Sequence, residues 1–79
     1  MKNEVSLNAL SPGERGTVTH IAKVRHNLRQ RLLELGLING TAIEMIRFAP
    51  LGDPIEVRVR GYRLSLRRLE AEAVIIKRD

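Results

Sequence analysis

The chain has 79 residues, 43% of them hydrophobic and 29% charged, with 14 Lys and Arg against 9 Asp and Glu for a formal net charge of +5. That length holds a single domain, residues 1–79, and the balance of apolar and charged residues excludes a disordered chain. Lack of cysteine excludes disulfide stapling and thiolate metal sites, no stretch reaches the ~20 apolar residues of a membrane span, and the N-terminus lacks a signal peptide's apolar run, so a cytoplasmic protein is expected.

In chain order, "SLNALSPGERG" spaces Leu7 and Leu10 three apart before a Pro12-Gly13 turn, which predicts a lead-in docked on the core. "GTVTHIAKV", residues 16–24, is rich in β-branched residues and reads as a strand. Val18 and Ile21 break strict alternation, which predicts a bulge. In "NLRQRLLELGLINGT" Leu28, Leu32 and Leu35 recur at i, i+4 and i+7 and line one face of a short helix. Asn27 is its expected N-cap with Gln30 three residues on, Gly36 its left-handed C′ residue, and Leu37 closes back on Leu32. A helix of roughly nine residues is marginal alone, so its apolar face must pack on the sheet.

Residues 41–49 and 55–61 flank "PLGDP" and predict a hairpin, with Ile55, Val57 and Val59 on its inner face. Pro50 and Pro54 cannot donate to a ladder, so they confine pairing to the strands outside them, while Gly52-Asp53 supplies the turn. Tyr62, Leu64 and Leu66 alternate with Arg63, Ser65 and Arg67 as a further strand, "RRLEAEA" favours one helical turn, and "VIIK" closes the chain as a strand. The expected fold is mainly β: a small, strongly bent antiparallel barrel of about five strands with one short helix. Its core should combine Leu28, Leu32 and Leu35 with Ile43, Val57, Val59 and Leu66.

From about Leu7 to Lys77 the chain resembles the ferrous iron transport protein A (FeoA) family. The residues that carry the resemblance are Arg31-Leu32 through Gly36, Gly40-Thr41, the loop Ala49-Pro50-Leu51-Gly52-Asp53-Pro54, and Gly61-Tyr62 followed by Leu66-Arg67-Arg68 and Ala71. The resemblance implies an SH3-like barrel with the capped helix inserted after the first strand. It also implies a small cytosolic accessory of bacterial ferrous iron uptake, whose partner is a membrane permease of the FeoB type carrying a GTPase domain. Related domains end metal-dependent repressors, which leaves a stand-alone relative of such a domain as an alternative.

The residues themselves offer no reaction chemistry. Ser6, Ser11 and Ser65 sit in no nucleophile motif, and Glu70 and Glu72 lie beside arginines on an expected surface turn. His20, His26, Glu44 and Glu56 have no metal-ligand spacing, and neither "GLING" nor "PLGDP" has the arrangement of a phosphate-binding loop, so no catalytic, cofactor or metal residue is assigned. Phe48 and Tyr62 are the only aromatics and are expected in the core, which excludes an aromatic groove for proline-rich peptides.

The arginines remain. Arg58 and Arg60 are expected on one face opposite Ile55, Val57 and Val59, with Arg47 and Arg63 nearby; the stripe is either a solvated face that blunts exposed strands or a partner contact. Arg31 and Arg67 are expected to bond loop carbonyls or carboxylates. With Leu51 held at a loop tip and Asp53 beside it, the candidate partner-binding residues are Arg47, Leu51, Asp53, Arg58, Arg60 and Arg63. Two functions follow: an interaction module for the permease, and a basic nucleic-acid-binding barrel. The second lacks the stacking aromatics that single-strand binders use, so no nucleic acid is expected as partner.

Overall fold

A computed structural model describes residues 4–79. Its elements run β1 (Glu4–Ser6), a 3-10 turn (Leu7–Ala9), β2 (Arg15–Ile21), α1 (His26–Glu34), β3 (Ala42–Phe48), β4 (Ile55–Val59), β5 (Tyr62–Leu66), α2 (Arg68–Glu72) and β6 (Val74–Arg78). All six strands join one antiparallel sheet in the order β1-β6-β2-β3-β4-β5. Val18, Ile21, Ile43, Met45, Ile55, Val57, Val59, Leu66, Val74 and Ile76 from five of the strands enter a single buried cluster with Leu7, Leu10, Leu32 and Leu37. One sheet can send so many strands into one small core only by curling around it.

The sheet has one strand more than the sequence led us to expect. The extra strand is β1, whose three residues are too few to show alternation and which exists through pairing with β6, Val5 lying opposite Ile76. The helix therefore follows the second strand in chain order. The β2 bulge is present: register passes from Val18 opposite Ile76 to His20 opposite Ile75, so Thr19 is the extra residue and both Val18 and Ile21 face inward.

Asn27 does not cap α1. The helix begins at His26 after Arg25, with no side-chain cap, and it is tied to the end of β2 by its own Arg29, whose guanidinium donates to the Ile21 carbonyl at 3.4 Å. Its C-terminus is as expected. Gly36, at φ 93°, donates to the Leu33 carbonyl at 2.9 Å, and the Leu37 amide closes on the Leu32 carbonyl at 3.2 Å. Leu32 is fully buried, while Leu28 and Leu35 pack at the margin of the core.

Tyr62 is a correction. It is 43% exposed rather than in the core: it shares the inner face with Val59 and Leu66 but stands at the first residue of β5, where its hydroxyl donates to the Leu35 carbonyl at 2.8 Å and ties the start of β5 to the end of α1. Phe48 is half-buried against the core.

Candidate functional site

The loop after β3 is built by its own backbone. The Gly52 amide bonds the Ala49 carbonyl at 2.7 Å and the Ala49 amide the Pro54 carbonyl at 2.9 Å, which pushes Leu51 out to 97% exposure. Asp53 points the other way: its carboxylate accepts the Arg68 amide at 3.1 Å, at the first residue of α2. The Arg68 guanidinium donates to the Gly52 carbonyl at 3.5 Å and lies 6.0 Å from the centre of the Phe48 ring. Loop and α2 are thus one assembly, and Leu69, 79% exposed, stands on the helix beside it.

Glu70 completes that joint. One carboxylate oxygen accepts the Arg67 amide at 3.0 Å and the other lies 3.3 Å from Arg31 Nε, so α2 is capped from within and linked to α1. Arg31 therefore pairs with a carboxylate, as the sequence suggested, whereas the Arg67 guanidinium donates to no group among the described residues. Arg31, Asp53, Pro54, Ser65, Arg67 and Glu70 line an open cavity of about 490 Å³ between α1, β5 and the loop.

On the outer face of β3, β4 and β5 the cations are interleaved with anions. A bulge between Met45 and Arg47 brings Arg47 opposite Glu56, and Glu44 lies opposite Arg58. Glu56 Oε1 sits 3.9 Å from Arg47 and 3.6 Å from Arg63, and Arg58 lies 3.8 Å from Glu44. This is a mixed, half-exposed lattice, in which each pair is weak.

Arg60 stands at the end of that face, beyond the strand that carries Arg58. It lies in the two-residue turn between β4 and β5 at φ 50°, followed by Gly61 at φ 83°, and its guanidinium reaches the Thr41 hydroxyl at 3.4 Å. The turn type, which demands a left-handed backbone at both positions, ends the strand alternation before Arg60. The structure thus brings Arg47, Arg58 and Arg63 together, keeps Arg60 beside Arg58 on an open cavity that Glu44 and Asp79 also line, and sets Leu51 and Asp53 apart from them.

Ser6 Oγ donates to the Glu72 carbonyl at 3.1 Å, and His20 Nδ1 lies 3.1 Å from Thr19 Oγ1. No cluster of three or more His, Cys, Asp or Glu that could hold a metal occurs among the described residues. The role of Arg68 as the bridge between loop and helix was missed. Its signal was partial: Glu70 three residues after Arg67 has capping spacing, but arginine is not a capping residue.

A model of the FeoA domain family matches residues 5–78. A Porphyromonas gingivalis protein described as a fusion of Fe(2+) transport protein A with the Fe(2+) transporter FeoB is 32% identical over 71 residues, 90% of this chain but only 8% of the fusion. The solution structure of FeoA from Chlorobium tepidum is 43% identical with a TM-score of 0.85, covering 94% of this chain and 70% of that one. FeoA from Stenotrophomonas maltophilia, solved with zinc and described as an SH3 domain protein, is 29% identical with a TM-score of 0.81 over 92% of this chain and 89% of that one.

Proposed function

This chain belongs to the FeoA domain family of ferrous iron transport, and from that premise we propose that it is a cytosolic accessory that docks on a FeoB-type membrane permease and modulates its activity or assembly. The observation that carries the reading is the fusion: a relative joins this domain covalently to a FeoB transporter, so the two work at one place there, and a free-standing copy achieves the same proximity by binding. No helix among the described residues is long and apolar enough to cross a membrane. The partner supplies the transport and its GTPase domain the nucleotide chemistry; this chain supplies preference for one of the partner's conformations, which shifts that equilibrium.

Leu51 is the proposed apolar contact. It is presented at the tip of a loop already ordered by its own hydrogen bonds, so little further ordering is required at binding. Arg47, Arg58 and Arg63 steer the approach from the neighbouring face, Arg60 stands at that face's end, and Asp53 contributes by holding the loop on α2. The test is capture of the permease's purified cytoplasmic domain by the chain and by Leu51→Ser. The substitution should weaken capture and leave the melting temperature almost unchanged. A large fall in melting temperature would assign Leu51 to the fold instead.

A further inference from the structure

We propose that an extended, acidic segment of that permease adds to the sheet along the free edge of β5, between Arg63 and Arg67; this rests on the permease reading above. β5 is the last strand of the sheet, bonded on one side to β4 and on the other to no strand among the described residues. Register shows which of its backbone groups are free. The turn joining β4 to β5 has two residues, both with positive φ, so Val59 and Tyr62 form the closely bonded pair that exchanges both hydrogen bonds. Alternation then directs the amides and carbonyls of Tyr62, Leu64 and Leu66 toward β4 and those of Arg63 and Ser65 outward. Among the described residues no group bonds the outward set.

An edge of this kind is a template for another chain unless it is blunted. β5 carries no proline, and its register with β4 runs unbroken from Ile55 opposite Leu66 to Val59 opposite Tyr62. Space is available as well, since Ser65 itself lines the open cavity beside Arg31, Arg67 and Pro54.

Charge selects the occupant. The carboxylates on the rim are already committed, Asp53 to the Arg68 amide and Glu70 to the Arg67 amide and Arg31. The cations are less so: the Arg67 guanidinium has no partner among the described residues, and Arg63, 61% exposed, competes with Arg47 for one oxygen of Glu56. An incoming strand with Asp or Glu on its outer face would find both. A second copy of this chain is the poorer fit, because it would bring its own Arg63, Arg67 and net charge of +5 to the same edge.

The experiment is amide hydrogen exchange of this chain, free and with the permease's soluble cytoplasmic domain, together with Ser65→Pro, Ser65→Ala and Arg67→Glu. On binding, the Arg63 and Ser65 amides should slow by roughly tenfold or more, while Leu64, already bonded to β4, changes little. Ser65→Pro deletes an outward N–H that the β4 ladder does not use, so it should fold as the parent yet bind at least about tenfold more weakly, and Ser65→Ala should bind as the parent does. Arg67→Glu should weaken binding more at low salt than at high salt. If the complex forms while the Arg63 and Ser65 amides exchange as in the free chain, the edge proposal falls and the permease reading stands. If the parent chain does not bind the domain at all, both fall. Indifference to Arg67→Glu would overturn the acidic character of the segment.

Discussion

At one edge of the sheet β1 runs for three residues before its chain rolls into the Leu7–Ala9 turn, and there Ser6 Oγ reaches the Ala71 and Glu72 carbonyls while Asn8 Nδ2 donates to Arg68. At the other edge β5 runs for five residues with its outward amides uncovered and arginines beside it. The first edge is tied to α2, which also satisfies carbonyls at that helix's end. The second is left long and regular, with only positive charge to discourage self-association. Where a small barrel protects one edge by structure and the other by charge alone, the charged edge is the one a partner of opposite sign can use.

Both edges depend on α1, and the largest effect should come from removing its anchor. Leu32 is fully buried, and the hydrogen bond from Leu37 to its carbonyl fixes the helix end on which Tyr62 of β5 leans through Leu35. Leu32→Ala should cost about 2 to 5 kcal/mol in chemical denaturation, a large share of a small domain's stability. A nearly neutral result would mean that α1 is not docked and that the two edges are held independently of it.

These regions differ in how far they can be read from sequence. The spacing of Leu28, Leu32 and Leu35, the Gly36 stop and the alternation of Ile55, Val57 and Val59 are local patterns, and each maps to the element it suggests. β1 could not be read, because three residues carry no period and its existence is decided by β6 across the sheet. The turn conformation of Arg60 and the exposure of Tyr62 are hidden for a related reason: turn geometry and a single hydroxyl-to-carbonyl bond settle them, and neither leaves a periodic trace. The candidate arginines were legible as a group, but the glutamates woven between them depend on strand register and on the bulge before Arg47.

A smaller effect distinguishes the edges directly, using the same side chain. Ser6→Ala removes a hydroxyl that donates to the Glu72 carbonyl at 3.1 Å and accepts the Asn8 amide at 3.3 Å, joining β1 to α2, and should cost about 1 kcal/mol. Ser65→Ala removes a hydroxyl with no protein partner among the described residues, and should change stability by less than about 0.5 kcal/mol. Parallel urea titrations of the two variants decide it. Equal costs would show that β5 is anchored as firmly as β1, which would remove the contrast between a tied edge and an open one.

The smallest effect on stability is expected on the face between the edges, and there it separates steering from folding. Arg58 lies 3.8 Å from Glu44 but directly opposite Arg63 in the ladder, so it has one attractive and one repulsive neighbour. Arg58→Glu exchanges them: it meets Glu44 unfavourably and Arg63 favourably, and half-exposed pairs of this kind are individually worth about 0 to 1 kcal/mol. The net change in stability should therefore stay below about 0.5 kcal/mol. Approach of an acidic partner responds differently, because the reversal removes two units of positive charge from the steering field without touching the backbone of β5. Stopped-flow association with the permease's cytoplasmic domain should then be slower for Arg58→Glu and less dependent on salt, with dissociation nearly unchanged. If association and its salt slope match the parent, the interleaved face is passive and the charges that guide binding are confined to the rim of β5.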